Sequence, residues 1–380
     1  MSATAFEPSD NYLRAIIDSA ERPLQEGKLK INVLIDARKI SNNGIGHGGI
    51  GVYLENLLNG FLARNDISPT LLVNSASKIP EAWKDIPRVI DDAKLYSYDE
   101  LKNLSKRINW SEYNLFHTPH YILPYGIPIP TIITVHDLIH ITNPSSFFHP
   151  FVARFLIGSA LKRATKVITV SEASKKAIIH RWPAADNKIT VIPNAVVPGF
   201  MQEPLKLNRK GEYLLTVLSS NKKHKGSDIL LKAFQLFEKE NVNNKVELVI
   251  VGKGSIQLED RKDLPKKTVV LGEVSREELH SLYYNAKALI VPSRAEGFCL
   301  PVVEAQSCGT PVLMTPVPAV LELLTENDIA LKDFSAKEMA IGIEKIISKN
   351  DDEKGVTSMH LEKFCIRKVT ERIVELYRSI

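Results

Sequence analysis

Short apolar runs alternate with stretches of helical periodicity along this chain, and the alternation occurs twice. The first series opens with the apolar run 31–36 and passes through a glycine-rich loop. It then enters a helix over 52–64, where Leu54, Leu57, Leu58, Phe61 and Leu62 recur at helical spacing. Residues 69–73, 131–135, 166–170 and 188–192 read as further strands, with helices near 150–163 and 173–180. The second series starts with a strand at 213–218 and a helix at 227–239. Strands at 246–251, 268–271, 288–291 and 311–314 follow, with helices at 277–285 and 301–307. Strands and helices that alternate in this way form parallel sheets with helices on both faces. The segment 197–211 between the two series is polar, rich in Pro and Gly and without periodicity, which marks a linker. The expected fold is α/β, with two Rossmann-like, doubly wound domains, 1–198 and 199–360, facing each other across a cleft. Ligands of such sheets bind beyond the carboxyl ends of the strands. Residues 361–380 read as a long amphipathic helix, through Phe364, Ile366, Val369, Ile373, Val374 and Leu376, that can cross back to the first domain. Residues 12–20 read as a helix ahead of the first strand.

Composition limits the function classes. The 380 residues are 44% hydrophobic and 24% charged, enough for two buried cores and incompatible with a disordered or coiled-coil chain. Cys299, Cys308 and Cys365 form neither a disulfide framework nor a CxxC metal knuckle, which suits a reducing compartment. Residues 1–8 lack the basic start and apolar run of a secretory leader. The uncharged stretch 113–136 is broken by Pro119, Pro124, Pro128 and Pro130 and cannot span a membrane as a helix. The expected location is the cytoplasm. The net charge is +5, and residues 151–188 hold eight Lys or Arg against Glu172 and Asp186. This stretch fits peripheral contact with the anionic inner face of a membrane, a phosphate-bearing substrate, or simply solvated helix faces. No nucleic-acid-binding motif accompanies it, so nucleic acid is not an expected partner.

Several local patterns carry chemistry. Residues 44–51 form a glycine-rich loop between a strand and a helix, and Gly46, Gly48 and Gly51 match G-x-G-x-x-G literally. A nicotinamide site would need an acid after the second strand, where Asn74 stands, and a shorter gap from Asp36. A loop closing over phosphates from the opposite domain fits better. His136 and Asp137 end the apolar run 131–135, and His117 and His120 end another candidate strand, all placed for a ligand. No HExxH, Cys/His knuckle or D-x-D occurs, so no metal site is expected. Lys222, Lys223 and Lys225 follow the strand 213–218 and precede a helix, where they can neutralise a phosphate leaving group. The most informative pattern is Glu296-Gly297-Phe298-Cys299-Leu300-Pro301 leading to Glu304. Pro301 suits the first turn of a helix, so one carboxylate precedes the helix tip and the other lies just inside it. Amides at that tip can bind a diphosphate, while the two glutamates accept hydrogen bonds from hydroxyls on either side.

From Glu296 to Glu304 this pattern resembles the E-x7-E motif of glycosyltransferase family 4, and the resemblance extends over nearly the whole chain from Ile31. Gly49-Ile-Gly51-Val-Tyr53 resembles the family's glycine loop, and Val135-His-Asp-Leu138 its HDL segment. Thr169-Val-Ser-Glu-Ala-Ser174, Val191-Ile-Pro-Asn194 and His224-Lys-Gly226 resemble further family segments. The resemblance implies a GT-B fold, donor binding by the second domain and acceptor binding by the first. It implies a retaining transfer of a hexose, glucose from UDP-glucose being favoured, to a saccharide or a lipid-diphosphate-linked saccharide in polysaccharide synthesis, without cofactor. A GDP-mannose-dependent mannosyltransferase is the alternative within the fold. A nicotinamide-dependent oxidoreductase and a catalytically silent binding subunit are alternatives beyond it. Glu304 is expected to hold the ribose, Glu296 the hexose hydroxyls and Lys225 the diphosphate, assisted by Lys222 or Lys223. The backbone of Gly297, Phe298, Cys299 and Leu300 is expected to meet sugar and phosphates, with the base between Gly252 and the turn at Val274. Gly49 and Gly51 would approach from the other domain, His136 would lie near the transferred sugar as a catalytic residue with Glu296 and Lys225, and Asp137 and Asn194 would line the substrate site. Two positions depart from the family pattern: Ser220 stands where many members have Arg, and Ala195 where Gly is usual.

Overall fold

The computed structural model describes residues 30–40, 48–144, 149–196, 212–259, 261–349 and 358–380. The expected helix at 12–20, the linker at 197–211 and residues 44–47 of the glycine loop lie outside the described residues. The described residues up to Ala195, together with Phe364–Ile380, form one compact unit, and those from Val196 to Lys363 form another.

The first unit is built on seven parallel strands. These are β1 (Ile31–Asp36), β2 (Ile67–Val73), β3 (Arg88–Ile90), β4 (Leu115–Thr118), β5 (Thr131–Val135), β6 (Lys166–Thr169) and β7 (Ile189–Val191), in the order β3-β2-β1-β4-β5-β6-β7. Side chains of a strand alternate between faces, and β1 shows the consequence. Val33 and Ile35 join one core, with Leu54, Leu58 and Phe61 of helix α1 (Gly49–Leu62). Leu34 joins the other core, with Leu104 of α2 (Tyr98–Arg107), Ile157 and Leu161 of α3 (His149–Arg163) and Ile178 of α4 (Glu172–Arg181). Apolar residues on both faces require helices on both faces.

The second unit has six parallel strands. These are β8 (Tyr213–Val217), β9 (Glu247–Val251), β10 (Thr268–Gly272), β11 (Ala288–Val291), β12 (Val312–Met314) and β13 (Ile329–Ala330), in the order β10-β9-β8-β11-β12-β13. Helices α5 (Ser227–Glu240), α6 (Arg276–Asn285), α7 (Leu300–Ser307) and α8 (Ala336–Ile347) accompany them. Phe234 and Phe237 of α5 and Met339 and Ile343 of α8 pack with Leu248 and Ile250 of β9 in its core.

The C-terminal segment corrects one expectation. It is not a single helix over 361–380: a short helix, Ser358–Glu362, ends before Phe364, and α9 runs from Ile366 to Arg378. Cys365 separates them because it takes an extended conformation and its Sγ accepts the Lys368 N–H at 3.5 Å, capping the new helix. The α9 helix packs in the first unit's core through Val369, Ile373 and Tyr377, and Arg378 pairs with Asp66.

Candidate functional site

In the second unit the loops leaving β8, β9 and β11 press on one another at the carboxyl ends of the strands. Gly226 has φ +71°, and a Cβ there would lie 1.9 Å from the Pro292 carbonyl oxygen. Gly252 has φ +98°, and a Cβ would lie 2.6 Å from the Leu218 oxygen. Only glycine permits both the left-handed backbone and the close approach. The result is that the lysine turn after β8 sits directly against the loop after β11.

Lys225 Nζ donates to Glu296 Oε1 at 2.7 Å, and Ser293 Oγ donates to the same oxygen at 2.6 Å. Arg294 fastens the two loops together. Its backbone N–H donates to His224 O at 2.7 Å, Nη1 donates to Lys223 O at 2.7 Å, and the guanidinium forks onto both oxygens of Asp228 at 2.7 Å. Hydrogen bonding from Arg294 holds the Asp228 carboxyl below the usual carboxylate range. Lys222 and Lys223 are exposed beside this turn.

Gly297 and Phe298 are buried, and Cys299 caps α7 with φ +80°. Burial pushes the Cys299 thiol up, and the Glu296 charge pushes it further, while Lys225 opposes both and Glu304 adds to them. Leu300 opens α7, and Glu304 sits one turn in, half-buried, with Oε2 accepting the Tyr283 O–H at 2.8 Å. Burial raises the Glu304 carboxyl, and the hydrogen bond from Tyr283 partly offsets this. Burial, then the Glu304 charge, raises the Tyr283 phenol. Gly252 donates its N–H to Gly272 O at 2.7 Å, and half-buried Val274 follows just before Ser275, the cap of α6. Lys225, Glu296, Cys299 and Glu304 are thus gathered at the tip of α7. Ser293, Arg294, Asp228 and Tyr283 join them without having been expected from the sequence. Ser293 and Arg294 stand within five residues of Glu296, so proximity to the motif is the available signal.

The remaining residues belong to the first unit. Gly49 and Gly51 form the first turn of α1, which has no side-chain cap and no acid in that turn. Tyr53, on the same helix, meets the His136 ring edge-on at 4.9 Å. His136 is half-buried after β5, and its Nε2 lies 3.1 Å from the Pro119 oxygen; burial lowers its pKa. Asp137 Oδ1 accepts the Ile139 N–H at 2.8 Å, just ahead of a short helical turn. Asn194, 6% exposed, has an Oδ1 without a hydrogen-bond partner among the described residues. His117 is fully buried, with Tyr377 OH at 2.6 Å from Nδ1 and Thr134 Oγ1 at 2.9 Å from Nε2. Among the described residues no group of three or more His, Cys, Asp or Glu is arranged to hold a metal ion. No described helix is long and apolar enough to cross a membrane.

Comparison with known proteins extends these observations. Residues 47–200 match the family described as Glycosyltransferase Family 4, and residues 202–358 match Glycosyl transferases group 1. The O-antigen chain mannosyltransferase RfbU of Salmonella typhimurium is 31% identical over 258 residues, covering 66% of this chain and 70% of that protein. The phosphatidylinositol N-acetylglucosaminyltransferase gpi3 subunit of Schizosaccharomyces pombe is 27% identical over 262 residues, covering 66% of this chain and 56% of that protein. Anabaena Alr3699/HepE in complex with UDP-glucose aligns with a TM-score of 0.69 at 18% identity, covering 92% of this chain and 100% of that one. Sucrose-phosphate synthase from Thermosynechococcus elongatus aligns with a TM-score of 0.68 at 16% identity, covering 92% and 99%. The two parallel sheets and these neighbours define a GT-B fold of two Rossmann-like domains. The chain belongs to glycosyltransferase family 4, and the nicotinamide reading of its glycine loop falls away.

Proposed function

We propose that this chain transfers a hexosyl group from a nucleoside diphosphate sugar to a hydroxyl of a saccharide or lipid-diphosphate-linked saccharide, with retention at the anomeric carbon. The observation that carries this reading is the Lys225–Glu296 pair held at the tip of α7 one turn from Glu304. In the reaction the bond from the anomeric carbon to the phosphate oxygen breaks, and the diphosphate leaves with the electron pair. Lys225 and the Leu300 amide at the tip of α7 meet the developing charge, which is the kind of stabilisation that dominates such barriers. Glu296 accepts hydroxyls of the hexose, and Glu304 those of the ribose. The acceptor oxygen attacks from the face the diphosphate leaves, and its proton passes to the departing phosphate oxygen. With Lys225 and the Leu300 amide meeting the charge, a divalent ion is not required.

UDP-glucose is the donor favoured by the sequence. Relatives named for mannosyl and N-acetylglucosaminyl transfer make GDP-mannose and UDP-N-acetylglucosamine its direct competitors. A lipid-linked acceptor is supported by α3, which exposes Phe151, Val152 and Phe155 at 65%, 54% and 66% beside exposed Arg154. Kinetics test the mechanism. Lys225→Ala should lower kcat by about 10²–10³-fold, by analogy with one lost oxyanion donor, and chelator should leave the wild-type rate unchanged. A rate that collapses in chelator, or an unimpaired Lys225→Ala enzyme, contradicts it.

A further inference from the structure

The proposed reaction needs the Lys225 ammonium in one place, and a lysine is poorly suited to hold itself there. Its charge ends a flexible four-carbon stem. The residue belongs to a single short turn, Lys223–Lys225, which Gly226 ends in the left-handed region at φ +71°. Glu296, which the ammonium meets at 2.7 Å, lies 71 residues further along the chain. The aim of Lys225 therefore depends on how the backbone of its turn is anchored to the loop after β11.

Arg294 supplies that anchor on both sides of Lys225. Ahead of the lysine, the Arg294 N–H donates to His224 O and Nη1 donates to Lys223 O, both at 2.7 Å. Beyond it, Nη1 and Nη2 donate to Oδ1 and Oδ2 of Asp228, in the first turn of α5, at 2.7 Å each. Ser293, the neighbour of Arg294, donates to Glu296 Oε1 at 2.6 Å. The short stretch 293–296 thus fixes both the lysine turn and the carboxylate that the lysine meets. A guanidinium presents its donors in a rigid planar fork, which suits such a clasp better than an ammonium does.

The clasp is a poor device for stabilising a fold. The Arg294 side chain is 26% exposed and that of Asp228 59%, against 19% and 10% for Lys225 and Glu296. An ion pair so exposed adds little to stability. Its effect is on position, and a catalytic group misplaced by about 1 Å can lose about 10²-fold in rate.

We propose that Arg294 is a positioning residue: by clasping Asp228 and the Lys223 carbonyl it holds the lysine turn so that the Lys225 ammonium stays at Glu296, where the donor diphosphate would meet it. The diphosphate rests on the transferase reading; the hold on Lys225 does not, and is measured without nucleotide.

The test labels the lysines of the full chain by reductive methylation at limiting formaldehyde, read peptide by peptide in a mass spectrometer. Lys287, 17% exposed and paired with Glu212 at 3.2 Å, is the internal reference. Arg294→Ala should raise the labelling rate of Lys225 severalfold and leave that of Lys287 unchanged. Asp228→Ala spares the bond to the Lys223 carbonyl and should raise it less. Arg294→Lys, which keeps the charge without the fork, should fall between the wild type and Arg294→Ala; these two variants carry the comparison if Arg294→Ala does not fold. Arg261→Ala, which breaks another exposed pair of the same unit, should change nothing. Calorimetry with UDP and GDP is the second readout. For a nucleotide that the wild type binds, Arg294→Ala should weaken affinity about tenfold. Arg294→Ala added to Lys225→Ala should weaken it no further, because Arg294 acts through Lys225, whereas a general loosening of the fold would add. Unchanged Lys225 labelling in Arg294→Ala, a rise shared by Lys287, or losses that add in the double variant overturn the proposal. A rise at Lys225 alone in a chain that binds neither nucleotide would support the clasp while removing the donor assignment.

Discussion

Glu304 owes its chemistry to its surroundings. Burial raises its carboxyl and the Tyr283 hydroxyl opposes the rise. In the proposed role it is the ionised form that accepts ribose hydroxyls. Nucleotide affinity should therefore climb as pH rises through the elevated Glu304 pKa and fall below it. Glu304→Gln should weaken binding and flatten that dependence. Calorimetry of UDP and GDP between about pH 5 and pH 8 checks this, and an unchanged profile in the variant contradicts it. His117 makes the opposite kind of statement, about stability. Burial pushes its pKa down to about 3, so the folded chain keeps it neutral while the unfolded chain takes a proton near 6.5. Stability is then present above about pH 6.5 and is lost as pH falls from there towards the folded value, by about 1–2 kcal/mol between pH 6.5 and 5. Urea unfolding of the wild type and His117→Asn at the two pH values reads the difference, which should shrink in the variant. Lys225, Glu296 and Glu304 are legible in the sequence because a helix tip and its flanking acids are a local pattern. The pairing of Arg294 with Asp228, 66 residues apart, depends on how two loops dock and leaves no local trace.

At the scale of elements, the strands that sequence patterning finds are those buried on both faces, such as β1 and β5, where apolar runs are continuous. The edge strands β3 and β13, of three and two residues, are too short for any periodicity to register. Helix α2 escapes the patterning although Ser97 caps it by accepting the Glu100 N–H at 3.1 Å; its strongly polar sequence lacks an obvious apolar stripe. The break before α9 escapes it too, because the apolar spacing runs straight through and the interruption comes from the extended backbone at Cys365. Helix α3 supports a prediction of its own. Its exposed Phe151, Val152 and Phe155 lie beside Arg154, and each basic group near an anionic surface contributes about 1 kcal/mol. The chain should sediment with phosphatidylglycerol vesicles more than with phosphatidylcholine vesicles, less so at high salt. Phe151→Ser with Phe155→Ser should reduce that binding with folding intact. Equal sedimentation of the wild type with both vesicle types contradicts it.

At the scale of the whole molecule, two parallel α/β sheets are legible because the alternation of strand and helix is written twice in the chain. Each sheet gathers its chemistry where its strands end. In the second unit that is the Lys225, Glu296 and Glu304 group; in the first it is the buried pairing of Arg38 with Asp36 and Glu100. The first group follows from local spacing. The second does not, since Arg38, Glu100 and His120 come from separate stretches and only the sheet order brings them together. The most direct measurement is a crystal structure of the chain soaked with UDP or GDP. The account predicts the diphosphate at Lys225 and the tip of α7, with the ribose on Glu304. A nucleotide bound away from that helix tip, with Lys225 and Glu304 untouched, would contradict it.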